Sequence, residues 1–317
     1  MVSKKHGLGL AVELGPLKLK NPVIAASGTF GYGEEYAGIL PLKSLGALIT
    51  KGLSLEPRKG NPPPRLAETP SGMLNAIGLE NVGLEVFLRE KMPFLRRVGC
   101  SVLINIFGCT EDEYAEMARR LSGVEGVAGL EANISCPNLK AGGTIFATDP
   151  KSVYQVVSKT RQATASFLMV KLSPNVGDVV KVALAAEEAG ADALSLINTL
   201  TGMAVDIKTR TPILANITGG LSGPAIKPIG LRMVWQVAQA VRIPVVGVGG
   251  ITTAEDALEY LIAGATAVQV GSAHFIDPRV SLKIVEGIEN YLKDHDFSNI
   301  NSLIGSLKVG QQSAELR

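Results

Sequence analysis

The segment Gly129-Leu-Glu-Ala-Asn-Ile-Ser-Cys-Pro-Asn138 begins as a short apolar run and ends in a cluster of polar side chains. A strand that stops in such a cluster usually delivers side chains to a site rather than to a core. Seven similar runs are present, so that the eight together cover residues 22–28, 47–53, 101–108, 129–137, 167–174, 193–199, 243–250 and 267–273. Their nearly continuous apolar character predicts strands that are buried on both faces, as in a parallel sheet.

Helical patterns with a 3.6-residue period lie between most of these runs. Thr110 is the predicted N-cap of a helix over residues 111–121, and Asp149-Pro150 opens the next helix with proline at its first position. Eight β-α units in about this length predict a single α/β domain over residues 1–317, a (β/α)8 TIM barrel. A doubly wound open sheet is the alternative, but no GxGxxG pattern follows the first strand.

Three segments are longer than a barrel requires. Residues 10–19, which turn at Gly15-Pro16, predict an N-terminal β-hairpin that closes the barrel floor. The connections 54–82 and 200–227 leave the carboxyl ends of two strands, where barrel enzymes build their active sites. We therefore expect both connections to be long active-site loops. The polar tail from Asp296 is expected to be weakly ordered.

Composition and charge exclude several classes of protein. The net charge of +2 gives no reason to expect a nucleic acid or an anionic membrane as a partner. No run approaches the roughly 18 apolar residues of a membrane span, and residues 1–7 do not resemble a signal peptide or an anchor. The chain has three cysteines, Cys100, Cys109 and Cys136, and their spacing is irregular. This odd number argues against a set of disulfides, and it is too small for a four-cysteine iron–sulfur cluster built from this chain alone. We expect a cytoplasmic protein without a metal site.

Polar side chains gather at the predicted carboxyl ends of six strands. They are Ser27, Lys51, Asn105, Asn133 with Cys136, Lys171, and Asn198 with Thr199. In a closed barrel these ends converge on one mouth. A shared site explains the six clusters together better than six independent loop caps do, and it makes Cys136 a candidate base or nucleophile.

The last two strands end in glycine-rich loops, Gly247-Val-Gly-Gly250 and Gly271-Ser272. Glycine lets backbone N–H groups approach an anion, and the loops after strands seven and eight are the recurrent phosphate site of this fold. We therefore expect a phosphorylated ligand across the mouth, although glycines that only make tight turns would also fit either loop alone. Flavin mononucleotide (FMN) suits the lysines and carboxamides, whereas a phosphosugar would use the phosphate site equally well.

The motifs together resemble the class 1 dihydroorotate dehydrogenases, over about residues 10–292. The matching motifs are Ala25-Ala-Ser-Gly-Thr-Phe30, Thr50-Lys-Gly52, Asn75-Ala-Ile-Gly-Leu79, Asn133-Ile-Ser-Cys-Pro-Asn138, Val170-Lys-Leu-Ser-Pro174, Gly219-Gly-Leu-Ser-Gly-Pro224, Gly247-Val-Gly-Gly250 and Gly271-Ser272. The motif Asn75-Ala-Ile-Gly-Leu79 and the segment 219–224 are similar to those of class 1B, the NAD-linked heterotetramers. Cys136 distinguishes the chain from the membrane-bound group, which uses serine. Glu80 departs from the glutamine or proline that we expect at its position.

The resemblance implies oxidation of dihydroorotate to orotate in de novo pyrimidine (UMP) biosynthesis, with hydride passing from C6 to flavin N5 and a proton from C5 to Cys136. The implied FMN contacts are Ser27, Lys51, Gly52, Asn105, Asn133, Lys171, Ile197, Gly223, Gly249, Gly250, Gly271 and Ser272. The implied substrate contacts are Lys51, Asn75, Ala76, Ile77, Gly78, Leu79, Asn133, Asn198 and Thr199. Residues 137–147, which contain Gly142-Gly143, would form a lid.

The electrons then need an acceptor outside the chain, because no dinucleotide fingerprint is present. The class 1B resemblance implies a homodimer core within a heterotetramer, whose partner subunit carries FAD and a [2Fe-2S] cluster and passes electrons to NAD⁺. A fumarate-using class 1A homodimer and a dihydropyrimidine dehydrogenase-like subunit are the alternatives among flavin enzymes. A non-redox phosphosugar barrel or a non-catalytic scaffold would instead bind little or no flavin.

Overall fold

The computed structural model of the protein describes residues 9–134 and 148–309, and eight parallel strands within them form a closed barrel. The strands are β1 (Val23–Ala25), β2 (Ala47–Ile49), β3 (Ser101–Ile106), β4 (Gly129–Asn133), β5 (Phe167–Lys171), β6 (Ala193–Leu196), β7 (Val245–Val248) and β8 (Ala267–Val270). Each strand pairs with its neighbours in chain order, and β8 pairs with β1 to close the cylinder. The predicted (β/α)8 barrel is confirmed, and the open sheet is excluded.

Each barrel strand is shorter than the apolar run that predicted it. The run over residues 193–199, for example, leaves the barrel after Leu196, and β4 ends at Asn133. The difference lies mainly at the carboxyl ends, where the backbone turns away from the sheet at the mouth. Some of the side chains predicted at strand ends, such as Asn133 and Lys171, therefore belong to strands, whereas others, such as Lys51, belong to the first loop residues.

Helices follow most strands on the outside of the barrel. They are the continuous segment Leu84–Val86, Phe87–Lys91 (a π-helical turn) and Met92–Leu95, followed by Glu111–Leu121, Pro150–Gln162, Val179–Glu188, Lys227–Ala238, Ala254–Ile262 and Val280–Asp294. Short 3-10 turns at Glu34–Tyr36 and Leu42–Ser44 stand between β1 and β2. Thr110 Oγ1 accepts a hydrogen bond from Glu113 N, and the Asp149 side chain accepts one from Ser152 N. Both predicted helix starts are confirmed.

The N-terminal hairpin lies at the amino end of the barrel, as predicted. Val12–Leu14 and Leu17–Leu19 pair antiparallel around Gly15, which has a left-handed φ of 57°. A β-carbon at Gly15 would stand 3.3 Å from the carbonyl oxygen of Asp192, the residue before β6. Because Val12, Leu14 and Leu19 are buried, the hairpin covers the floor with apolar side chains.

The first part of the tail packs against the barrel around residues 300–303, so the expectation of weak order from Asp296 does not hold for that turn, whereas residues 305–309 are exposed. A 3-10 turn over Ile300–Ser302 buries Ile300, and Leu303 is buried beside it. Gly305 N also donates to Leu261 O at 2.9 Å. The burial of these two apolar side chains stabilises the docked turn.

The two long connections meet in one antiparallel sheet above the mouth. Its strands lie in the order Leu200–Met203, Thr218–Ser222, Gly72–Asn75 and Leu66–Thr69. The central pair comes from different connections and places Gly220 opposite Asn75. A small hairpin, Val205–Asp206 with Thr211–Pro212, extends from the same region. Within the described ranges, no helix is both long enough and apolar enough to span a bilayer.

Candidate active site

A cavity of about 420 Å³ opens between the barrel mouth and this four-stranded sheet. The predicted site residues that line it from the barrel are Ser27, Lys51, Gly52, Asn105, Asn133, Lys171, Asn198 and Thr199. Those that line it from the connection after β2 are Asn75, Ile77, Gly78 and Leu79. Twelve of the predicted site residues, which stand on strands far apart in the sequence, therefore meet in one cavity.

Two lysines bring positive charge to the cavity from different strands. Lys171 is the last residue of β5 and is only 5% exposed, and its Nζ lies 3.4 Å from Ser27 Oγ at the end of β1. Lys51 follows β2 and is half-buried, with its backbone N–H donating to Gly31 O at 2.8 Å. Their charges suit a ligand that carries a carboxylate or becomes anionic in the site.

Glu80 also lines the cavity, and its charge has a partner. Its Oε2 lies 2.5 Å from Nη2 of Arg65. The ion pair offsets a negative charge that would otherwise oppose an anionic ligand. Glu80, which replaces the expected glutamine or proline, is therefore paired with Arg65 in the same connection.

Carboxamides at the ends of β4 and β6 form a connected polar surface. Asn198 Nδ2 lies 3.5 Å from Asn133 Oδ1, and Thr199 N donates to Asn198 Oδ1 at 2.8 Å. The hydroxyl of Tyr114, on the helix Glu111–Leu121, donates to the backbone oxygen of Asn133 at 2.7 Å. On the sheet side, Asn75 Nδ2 donates to Gly220 O at 3.2 Å. Together these groups offer both donors and acceptors to a planar polar ligand.

Two asparagines that we did not predict hold the segment 76–79 in place. Asn61 donates from Nδ2 to Ala76 O at 2.8 Å and from its backbone N–H to Ile77 O at 2.9 Å. Asn81 donates to Leu79 O at 2.9 Å and accepts from Gly83 N at 2.9 Å. The dense Asn and Gly content of this connection was the available signal, because such residues favour fixed turns with local hydrogen bonds.

Ala76 and Ile197 are close to the cavity but do not line it. Ala76 is buried in a small cluster with Leu74 and Leu214 beneath the sheet. Ile197 is 1% exposed, and a β-carbon at Gly249 would stand 3.2 Å from its Cγ1. A contact from either residue to a ligand in the cavity would therefore come from its backbone.

The glycine loops stand beside the cavity rather than in its wall. Gly249 and Gly250 follow β7, Gly271 and Ser272 follow β8, and these two strands are paired neighbours. A β-carbon at Gly250 would lie 2.9 Å from Gly223 O, which brings the connection after β6 against the same loop. Four of the five predicted contacts thus stand at two adjacent strand ends, and Gly223 lies against one of these loops. Their role in holding a phosphate stays a prediction.

Buried side chains anchor these glycine loops. The hydroxyl of Tyr260 donates to Gly249 O at 2.8 Å. His274 contacts Gly271 O through Nδ1 at 3.1 Å and Ser281 Oγ through Nε2 at 2.9 Å. Burial lowers the pKa of His274 to about 4, so the ring is neutral near pH 7 and can donate to one partner and accept from the other.

The sheet contributes further cavity-lining residues that we did not assign, namely Leu66, Met73, Thr201, Thr218, Gly219, Gly220 and Ser222. Phe275, on the turn after β8, lines the rim. The segment 219–224 belonged to a matching motif, but only Gly223 was given a role. Cys136, the predicted base, and the predicted lid over residues 137–147 lie outside the described residues.

A family model described as dihydroorotate dehydrogenase matches residues 9–292. The chain belongs to the dihydroorotate dehydrogenase family. The protein named dihydroorotate dehydrogenase B (NAD(+)), catalytic subunit, of Geotalea uraniireducens is 61% identical over 298 residues, which cover 94% of this chain and 98% of that protein. Proteins of the same name from Pelobacter propionicus and Geobacter metallireducens are 60% and 59% identical, over 94% and 95% of this chain and 98% of each relative.

The family is flavin-dependent, and the residues of the cavity fit a flavin. Asn105 Oδ1 is buried at the cavity without a hydrogen-bond donor from the described part of the chain, so a ligand can supply one. Lys51 and Lys171 can stabilise negative charge on a reduced flavin ring. The glycine loops lie at the ends of β7 and β8, where this fold commonly binds phosphate.

Proposed function

We propose that the chain is the FMN-containing catalytic subunit of a class 1B dihydroorotate dehydrogenase, which oxidises dihydroorotate to orotate for pyrimidine biosynthesis. The observation that carries this proposal is the single cavity in which two lysines and four asparagines from separate elements converge. The chain covers 98% of relatives that bear this name, at about 60% identity, which supports the same activity. We also propose that residues 1–317 form one domain.

The residues of the cavity have complementary tasks in this proposal. Lys51 meets the substrate carboxylate, and Asn75, Asn133, Asn198 and Thr199 meet the imide groups of the dihydropyrimidine ring. The backbone of residues 76–79, held by Asn61 and Asn81, closes the substrate pocket on the sheet side. These contacts orient the ring so that one face is presented to the flavin.

FMN, when bound, supplies an acceptor for the hydride that leaves carbon. Lys171, buried at the end of β5 and next to Ser27, holds the polar edge of the flavin. Gly223, Gly249, Gly250, Gly271 and Ser272 hold its phosphate through backbone N–H groups. Asn105 and Gly52 contact the flavin from the floor of the cavity.

We assign to Cys136 the base that takes the proton from C5. Asn133, three residues earlier in the sequence, lines the cavity, which supports this role. A free thiol has a pKa of about 8.5, so the site must favour the thiolate for efficient proton transfer. General-base catalysis of this kind is typically worth about 10²–10⁴-fold in rate.

We propose that the electrons pass to NAD⁺ through a partner subunit that carries FAD and a [2Fe-2S] cluster, in a heterotetramer built on a homodimer of this chain. The names of the relatives, which include NAD(+) and the term catalytic subunit, support this arrangement over a fumarate-reducing homodimer. The odd number of irregularly spaced cysteines supports the predicted cytoplasmic location.

The test is an anaerobic visible spectrum of the purified chain with FMN, before and after dihydroorotate is added. We expect a bound flavin whose visible band bleaches rapidly. Cys136→Ala should keep FMN but bleach about 10²–10⁴-fold more slowly, whereas Cys109→Ala, which changes a cysteine outside the cavity lining, should bleach at the normal rate. A flavin that stays oxidised with dihydroorotate, or a Cys136→Ala variant that bleaches normally, would contradict the substrate or the base respectively.

A further inference from the structure

A layer of polar side chains fills the barrel interior directly below the cavity. Asn105, Glu131, Ser195 and Gln269, on β3, β4, β6 and β8, are all fully buried. The interior of such barrels is ordinarily packed with branched apolar residues. A carboxyl group in this position is costly unless hydrogen bonds compensate for its lost hydration.

Glu131 is the centre of this layer and accepts hydrogen bonds from three neutral groups. Asn105 Nδ2 donates to Oε1 at 2.6 Å. Ser195 Oγ and Gln269 Nε2 donate to Oε2 at 2.9 Å and 2.7 Å. Donors from three different strands thus converge on one carboxyl group.

This arrangement fixes which end of the Asn105 carboxamide faces the cavity. A carboxamide has a donor end and an acceptor end, so an NH₂ group that points at Glu131 turns the oxygen away from it. Asn105 Oδ1 is buried and has no donor in the described part of the chain. It lies 3.0 Å from the position of a β-carbon on Gly52, which lines the cavity. The oxygen is therefore directed toward the mouth.

Gln269 repeats the pattern on the opposite side of the layer. Its Nε2 is used by Glu131, and its Oε1 is buried without a donor from the described residues. One carboxyl group therefore orients two carboxamides and leaves two acceptors unsatisfied. Unsatisfied buried acceptors are expensive, so a site that keeps them is built to receive a donor from elsewhere.

We propose that Glu131 is a positioning residue, which holds Asn105 with its oxygen toward the cavity so that the floor accepts a hydrogen bond from the bound cofactor. The inference rests on the proposed binding of FMN, which has donors in its ring N–H group and its ribityl hydroxyls. Glu131 acts through Asn105 and does not line the cavity itself. Without Glu131, nothing in the described layer would determine which end of Asn105 meets the ligand.

The test is the affinity of FMN for the apoprotein, measured by quenching of flavin fluorescence. Glu131→Gln keeps the shape but adds an NH₂ group, which can donate to Asn105 Oδ1 and turn the Asn105 NH₂ group toward the cavity. We expect the FMN Kd to rise about 10-fold or more, because the Asn105 NH₂ group would then face a hydrogen-bond donor of FMN and could not accept a hydrogen bond from it. Adding Asn105→Asp to Glu131→Gln restores an acceptor at the cavity and should return the Kd to within about 3-fold of the original value.

Ser195→Ala is the matched control, because it removes one donor to Glu131 and leaves Asn105 in place. It should lower the melting temperature without changing the FMN Kd. An unchanged Kd in Glu131→Gln, or an equal loss in Ser195→Ala and Glu131→Gln, would overturn the positioning role in favour of simple packing. If Glu131→Gln does not fold, FMN binding by the double variant decides, since a purely structural role predicts no rescue. FMN binding by the unaltered chain reports separately on the proposed function.

Discussion

Gly220 on the central strand of the sheet is the position at which one methyl group should most directly disturb the substrate side of the cavity. A β-carbon there would stand 2.0 Å from Thr199 Oγ1 and 2.6 Å from Thr199 Cβ. The backbone of Gly220 lies outside the left-handed region, so alanine adds a collision and no conformational strain. Thr199 cannot avoid the collision by a free rotation, because its β-branched side chain has few rotamers and its N–H is bonded to Asn198.

The magnitude follows from the cost of overpacking a well-packed site. Extra methyl groups in such places typically cost about 1–3 kcal/mol. If Thr199 moves to accommodate Gly220→Ala, this cost appears as weaker orotate binding of about 5–150-fold, since each 1.4 kcal/mol is about tenfold in Kd. FMN binding should change little, because the three atoms nearest to the added methyl group all belong to Thr199, which is assigned to the substrate.

The assay is a titration of the FMN-loaded protein with orotate, followed through the perturbation of the flavin spectrum. Gly202→Ala is the control on the adjacent strand, where a β-carbon would meet only the flexible end of Leu74, at 3.0 Å, and Leu221 Cβ, at 3.8 Å. We expect Gly202→Ala to bind orotate nearly normally. Equal orotate Kd values for Gly220→Ala and the unaltered protein would refute the assignment of Thr199 to the substrate site.

Two further predictions concern the side chains that anchor the glycine loops. Tyr260→Phe removes the donor to Gly249 O and Lys227 O and should lower the free energy of unfolding in urea by about 1–3 kcal/mol; an unchanged value would show that these carbonyls find other donors. The pKa of His274 falls from 6.5 to about 4 on folding, so the neutral ring stabilises the native state fully above pH 6.5, and this stabilisation is lost as the pH falls toward 4. The loss should reach about 3 kcal/mol in urea unfolding measured across that window, and an equally steep decline in His274→Gln would assign the pH dependence to other groups.

The barrel could be predicted from the sequence because each strand is buried on both faces and therefore reads as an apolar run. β5 and β8, for example, are buried at every position. Helix starts were equally predictable where a single side chain caps the helix, as those of Thr110 and Asp149 do. The floor hairpin followed from Gly15-Pro16. These signals are local, so no knowledge of the tertiary contacts was needed.

The sheet above the mouth could not be predicted in the same way. Its strands are short and half-exposed, and the central pairing joins Gly72–Asn75 to Thr218–Ser222 across most of the barrel sequence. Glycine-rich strands of this kind carry little alternation of apolar and polar residues. The sequence showed that both connections were long enough to be functional, but their register, and hence the position of Gly220 against Thr199, depends on the closed barrel beneath them.

The polar interior of the barrel could have been predicted from Glu131. A charged residue inside a run that is buried on both faces must have hydrogen-bond partners, so Glu131 alone was a sign of a polar interior. Its partners lie 26, 64 and 138 residues away, and no spacing rule connects such distances. Only closure of the barrel brings β3, β6 and β8 around β4. The same closure that buries the carboxyl group also turns the Asn105 oxygen toward the mouth, so in this protein the core and the floor of the site are a single structure.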